Sequence, residues 1–287
     1  MAKNTLIIGG TGTIGQVLVD LMAENNQNFI VLARTAEKAK KLRDRNINVA
    51  IGALGVWDSV EPLLEKVDCV YLLTNPSPDQ VVLQNGLIDR AKEKGVEKIV
   101  KISVVGAEAG SPINLLDWHG QIEDHLRESR MDFVILRPHS FMQNLFMSIP
   151  TIKEQGAFYQ STGDAKIPFI DIRDVAQVSY DCIVSDDHIN GTYTITGCDC
   201  VTNDDMAAEL SKATGNKIHC IDIPLEAHRE GMIKAGLPVW LADDLIAINA
   251  EYRKGDINHV TEDYEQMTGL KQKTIQEFAT DYAAYFM

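Results

Sequence analysis

Leu6-Ile7-Ile8-Gly9-Gly10-Thr11-Gly12-Thr13-Ile14-Gly15 runs an apolar strand into glycines at 9, 12 and 15. This is the G-x-x-G-x-x-G variant of the dinucleotide fingerprint. Its first glycine permits a tight strand-to-helix turn, its second lets backbone approach a pyrophosphate, and its third lets the helix pack on the strand. The following helix offers unpaired N–H groups and a positive dipole end to phosphates. Gly9, Thr11, Gly12, Thr13 and Ile14 are therefore candidate cofactor-binding residues. A glycine pattern alone is weak; this one joins the first strand to the first helix of an alternating chain. Ile14, Val17, Leu18, Leu21 and Met22 give that helix a buried stripe at i, i+3, i+4, i+7 and i+8.

Further apolar runs predict strands at Phe29–Arg34, Asn48–Leu54, Cys69–Asn75, Lys98–Val105 and Asp132–Pro138, with amphipathic stretches between them. Alternation of this kind predicts a Rossmann-type, doubly wound parallel sheet covered on both faces, in the α/β class. The rhythm changes after Gln143. Strands are expected near 167–171 and 193–196, the rest being mainly helical, with helix starts at Thr202 and Thr274 and stops at Gly215 and Gly269. The C-terminal helix carries Ile275, Phe278, Ala279, Tyr282 and Phe286 on one side. The expected division is a nucleotide-binding domain over residues 1–150, completed by the two later strands, and a smaller cap or substrate-binding region over 151–287, packed on the C-terminal edge of the sheet.

Composition narrows the partners. The 41 acidic and 27 basic residues give a formal charge of -14, which repels nucleic-acid phosphates and anionic lipid. The densest basic stretch, Lys38–Arg45, reads as the solvated face of a helix. No direct nucleic-acid or membrane partner is expected; a monomer or homodimer is. Five cysteines with no zinc spacing read as reduced thiols, and no metal site is expected. The opening Met1-Ala2-Lys3 leads into a strand without the layout of a signal peptide, so a cytoplasmic location is expected.

Strand two ends Ile30-Val31-Leu32-Ala33-Arg34. NAD-binding Rossmann proteins commonly place Asp or Glu here for the ribose hydroxyls. A guanidinium instead suits a 2′-phosphate, so NADP(H) is the expected cofactor; the alternative is a solvent-facing arginine opening a helix. Thr74, Asn75 and Pro76 end strand four and Ser103 and Val104 end strand five, where ligands sit in open α/β sheets; ordinary loop chemistry explains each equally well. The helix after strand five lacks the Tyr-x-x-x-Lys pair of typical short-chain dehydrogenases and reads Trp118-His119-Gly120-Gln121-Ile122-Glu123. His119 is a candidate general acid or base. Its four-residue spacing from Glu123 also permits a structural pair bracing the helix.

These residues resemble the NmrA-like group of atypical short-chain dehydrogenases/reductases over nearly the whole chain. The marks are the glycine loop, Arg34, the His119…Glu123 pair in place of Tyr…Lys, Leu136-Arg137-Pro138-His139-Ser140-Phe141-Met142-Gln143-Asn144, Ile170-Asp171-Ile172-Arg173-Asp174-Val175-Ala176, and the closing Thr268-Gly269…Phe278. Ala53 departs from the pattern, since relatives often carry Asp after the strand-three glycine, which puts an adenine contact in doubt. The resemblance implies either an NADPH-dependent reductase of quinones, azo dyes or triphenylmethane dyes, or a non-catalytic redox sensor that acts through a protein partner. Tyr159 to Ile170 is also similar to fungal iminium reductases. The segment Pro138 to Asn144, following strand six, is expected to border the nicotinamide, with Pro138, His139 and Phe141 as candidate cofactor contacts; the resemblance implies that Leu237-Pro238-Val239-Trp240 closes over substrate.

A carbonyl reduced to an alkoxide wants a placed acid, whereas a quinone, cationic dye or imine-type acceptor is already electrophilic. A small conjugated hydride acceptor therefore suits a site without Tyr and Lys. Trp118, Phe141, Met142 and Trp240 are its candidate contacts, with core packing the alternative for each. A sugar-nucleotide epimerase is disfavoured by the missing Tyr-x-x-x-Lys. The substantial C-terminal region favours the enzyme over the sensor.

Overall fold

The computed structural model describes residues 4–287; Met1 to Lys3, on which the expected compartment partly rests, lie outside the described residues. Six strands form in the first half: β1 (Thr5–Ile8), β2 (Phe29–Ala33), β3 (Val49–Ile51), β4 (Cys69–Leu72), β5 (Lys98–Ile102) and β6 (Asp132–Pro138). Later come β7 (Ala157–Gln160), β8 (Gly191–Ile195) and β9 (His219–Asp222). Seven of the strands make one sheet in the order β3-β2-β1-β4-β5-β6-β8, and every pairing in it is parallel. The order reverses beside β1, the doubly wound Rossmann arrangement with its switch point between β1 and β4.

Both faces of this sheet are covered because its strands are apolar on both sides. Leu6, Ile8, Leu32, Val70, Leu72, Ile99 and Ile135 face a core shared with Leu87, Ile88, Ile122 and Leu126, from the packed helices Gln80–Glu93 and Asn114–Ser129. The helices Thr13–Glu24 and Ile172–Val184 also pack together.

The chain divides into two compact units. One comprises the chain up to Pro138, Ile172–Ile195 and Gln266–Gly269; the other comprises His139–Asp171, Thr196–Glu265 and Leu270–Met287. The large sheet is completed by the returning segment Ile172–Ile195, which supplies β8. The expected strand near 193–196 is β8. The stretch 167–171 differs from expectation: Ile167 and Ile170 make only isolated bridges, to Val201 and Phe141. Pro168 lies between them and has no N–H to extend a ladder.

The second unit is mainly helical. Its core gathers Met142, Leu145, Ile152, Phe158, Met206, Leu210, Ile218, Ile275, Phe278 and Phe286. Capping boxes Thr202/Asp205 and Thr274/Glu277 start two of its helices, and Gly215 closes the first of these in the left-handed region, at φ +73°. It also contains a two-stranded parallel sheet, β7 with β9, which the periodicity did not reveal. Among the described residues, no helix is long and apolar enough to cross a membrane.

Candidate functional site

The glycine loop leaves β1 at its C-terminal end. Gly9 adopts φ +88°, and a Cβ there would lie 2.4 Å from the Leu73 carbonyl oxygen. A Cβ on Gly15 would lie 2.1 Å from the Gly9 oxygen and 2.6 Å from Gly10 Cα, so helix and turn touch where only hydrogen fits. Gly12 N–H donates to the Gly9 oxygen at 2.9 Å, curling the loop. Gly12 is the N-cap of helix Thr13–Glu24; no side chain caps that end, and its first turn holds no acidic residue. Gly12 and Thr13 are exposed and Ile14 is buried beneath them. This is a backbone cradle with free donors and a positive dipole end, and it fits a pyrophosphate.

Sheet register places the other candidates along the same edge. Ile8 pairs with Leu32 on one side and Leu72 on the other, so Arg34 follows the end of β2 beside the loop and Thr74-Asn75-Pro76 follows β4. Arg34 is exposed and makes no ion pair among the described residues. Its guanidinium is open to an anion. Ser103, Val104 and Pro138 continue the edge at β5 and β6, joined by Ser103 N–H to Leu136 O (2.7 Å) and Val105 N–H to Pro138 O (3.1 Å). Ala53 lies in the turn after β3, its amide donating to Ser59 Oγ at 3.3 Å.

The helix Asn114–Ser129 holds a polar cluster against this edge. The spacing allowed His119 to bond Glu123, but the structure gives each a different partner. Glu123 is wholly buried. Its carboxylate takes a two-pronged bond from Arg137, Nε to Oε1 at 2.9 Å and Nη2 to Oε2 at 2.5 Å, plus Arg127 Nη2 at 2.8 Å and Ser103 Oγ at 2.5 Å. Both oxygens are thus committed, and so is the Ser103 hydroxyl. This cluster pins the helix to the ends of β5 and β6.

One turn earlier, His119 Nδ1 lies 3.2 Å from Lys101 Nζ. Lys101 is wholly buried. Its ammonium has three donors and meets three acceptors: His119 Nδ1, Gln84 Oε1 at 3.1 Å and the Ile102 carbonyl at 3.3 Å. Gln84 in turn donates from Nε2 to Thr74 Oγ1 at 2.8 Å. Burial brings Lys101 down to about 7, with Glu123 opposing the fall. Burial, reinforced by Lys101, holds His119 well below the usual histidine range, so its ring is neutral.

Sequence reasoning missed Lys101, Gln84 and Arg137 as members of one cluster. A signal existed. Lys98 and Lys101 sit in a strand paired on both sides, where a lysine must find internal partners. Lys98 finds the carbonyls of Cys182 (2.7 Å) and Ser185 (2.7 Å) and Asp186 Oδ1 (2.9 Å), at the C-terminal end of helix Ile172–Val184, where carbonyls lack helical partners. Its role is explained by that helix; that of Lys101 is not.

The remaining candidates belong to the second unit, save Trp118, which is half-buried in the same helix as His119. The His139 ring faces the Ile257 carbonyl at 3.2 Å through Nε2, accepts from Ser140 N–H at 2.9 Å through Nδ1, and stacks on Tyr252. Burial pushes it down to about 4, and both nitrogens serve the unit's own packing. Met142 lies in the apolar core, whereas Phe141 and Trp240 are half-buried. Among the described residues, no group of three or more His, Cys, Asp or Glu side chains is placed to hold a metal ion.

A switch-point glycine cradle beside an open arginine defines a nucleotide-binding Rossmann protein. The chain belongs to the NmrA-like family, which it matches over residues 1–283. It is 35% identical over 281 residues to an NAD(P)H azoreductase of Xenophilus azovorans, with 98% of each chain covered. Its fold is also that of the Escherichia coli NADPH-dependent quinone oxidoreductase solved with NADPH (TM-score 0.86, 24% identity, 96% of this chain and 99% of that one). The Citrobacter sp. triphenylmethane reductase complexed with NADP(H) has it too (TM-score 0.83, 22% identity, 98% and 99%).

Proposed function

We propose that this protein is an NADPH-dependent oxidoreductase that reduces small conjugated electrophiles such as quinones, azo compounds and cationic dyes. The observation that carries it is the uncapped glycine cradle at the switch point, with the unpaired Arg34 at the next strand end. The azoreductase likeness over 98% of both chains supports the reaction class. NADPH, when bound, would supply a hydride (one proton with two electrons) from its nicotinamide.

The chain's own residues do the rest. Backbone donors at Gly12 and Thr13 hold the pyrophosphate, and Arg34 grips the 2′-phosphate through charge-assisted bonds. Gln84 spends one amide hydrogen on Thr74 Oγ1, which leaves the threonine hydroxyl proton available to a ligand at the sheet edge. The hydride step to an acceptor that is already electrophilic then rests on positioning and exclusion of water.

Arg34→Ala is expected to weaken NADPH binding ~10- to 100-fold, the worth of a charge-assisted contact of roughly 1.5–3 kcal/mol. NADH binding should change little. Calorimetric titration with both nucleotides checks this, and equal losses would remove the 2′-phosphate role. The activity is tested by following NADPH oxidation at 340 nm against a quinone, an azo dye and a triphenylmethane dye. Turnover on any of them supports the reading. Tight binding without turnover would instead favour a redox sensor working through a protein partner.

A further inference from the structure

Lys101 is a wholly buried cation without a carboxylate of its own. Of the groups packed around it, helix Gln80–Glu93 presents the uncharged Gln84, β5 presents a backbone carbonyl, and helix Asn114–Ser129 presents neutral His119 and Glu123. Glu123 is spent on Arg137, Arg127 and Ser103. A buried, unpaired lysine is costly, and a scaffold tie between helix and strand could be made by apolar packing instead. Its geometry suits a transfer of protons. Nζ–H pointing at Nδ1 leaves the single proton of a neutral imidazole on Nε2. Nε2 has no partner among the described residues, yet it is not among the sealed polar atoms left unsatisfied, and His119 keeps 9% of its surface exposed. The helix carrying it starts at the C-terminal edge of the sheet, where the cradle also opens.

We propose that Lys101 and His119 form a proton relay for neutral hydride acceptors, with His119 Nε2 as donor and Lys101 as the positioning residue that refills it; this rests on the reductase reading above. A neutral quinone that gains a hydride becomes an anion. It takes the Nε2 proton to finish as hydroquinone, while the Nζ proton moves to Nδ1. Lys101 ends as a neutral amine and His119 as the opposite neutral tautomer. One proton from water then restores both. No imidazolate or imidazolium accumulates, and the depressed lysine pKa makes the ammonium a ready source near neutrality. A cationic dye that gains a hydride is already neutral and needs no proton, so it bypasses the relay.

The test compares wild type, Lys101→Met and His119→Phe on a neutral quinone and a cationic triphenylmethane dye from pH 5.5 to 9. Both variants should lower the quinone-to-dye ratio of kcat ~100-fold or more, the usual worth of a placed acid. Wild-type quinone turnover should fall above about pH 7, as the Lys101 ammonium is lost; that limb should be absent with the dye and from Lys101→Met. Nitrogen-15 NMR of histidine-labelled protein without nucleotide gives an independent readout. His119 should show an unprotonated Nδ1 in wild type and a shifted tautomer balance in Lys101→Met. Equal losses on both acceptors, or none, would overturn the relay. If wild type reduces neither acceptor, the reductase reading falls and the relay with it, whereas an unaltered tautomer in Lys101→Met overturns the relay alone. His119→Phe keeps the test open should Lys101→Met fold poorly.

Discussion

Replacing Glu123 with alanine is expected to lower the unfolding free energy by about 3–5 kcal/mol in a urea titration, the usual cost of breaking a buried ion pair from one side. The loss arises because Arg137 keeps its position, bonded to the Ala107 carbonyl at 2.9 Å, but loses the carboxylate that met both prongs of its guanidinium. Ser103 Oγ loses its acceptor as well. Arg127 contributes less, because it is more than a third exposed and also reaches Asp124 and Thr192. Because the cluster pins the ends of β5 and β6, the variant should also bind NADPH more weakly. A loss below about 1 kcal/mol would mean that the cluster behaves as a surface pair.

The second large effect separates two glycines of the cradle. Gly15→Ala drives a Cβ into backbone atoms of Gly9 and Gly10, none of which is a flexible side-chain end. Overpacking of this kind costs about 1–3 kcal/mol or more, so both stability and NADPH affinity should fall, the latter ~10- to 100-fold. Gly12→Ala meets only the Gly9 oxygen, at 3.3 Å. It should unfold near the wild-type midpoint while still weakening NADPH, because the methyl stands where the phosphates approach. Thermal melts paired with calorimetry distinguish the two. If Gly12→Ala destabilised as much as Gly15→Ala, the division of labour within the loop would be wrong.

The parallel sheet was legible because its strands announce themselves locally: Thr5–Ile8, Cys69–Leu72 and Asp132–Pro138 are apolar runs bounded by turns, and the glycine loop fixes the connection between the first strand and its helix. Helix ends were legible for the same reason, since Thr202 with Asp205 and Thr274 with Glu277 act within one turn. What escaped depends on distant partners. β9 has a mostly exposed face and only four residues, so no alternation marks it. His139 owes its environment to Ile257, 118 residues away. The His119–Glu123 spacing was correct as geometry, but it could not show that Arg137 outcompetes the imidazole for the carboxylate. A guanidinium fork satisfies both oxygens of a buried anion, which a neutral ring cannot do. Lys101 was hidden in the opposite way: a charged residue inside an apolar strand is easily passed over as an edge, although the sheet order places β5 in the interior.

Transfer of deuterium from NADPH labelled at nicotinamide C4 tests the central claim most directly. With a quinone or triphenylmethane dye and each C4 epimer in turn, one epimer should slow its own oxidation in single turnover through a primary isotope effect, and the reduced dye should carry the label at the accepting carbon. Tight NADPH binding with neither an isotope effect on its oxidation nor label in the reduced dye would contradict the account.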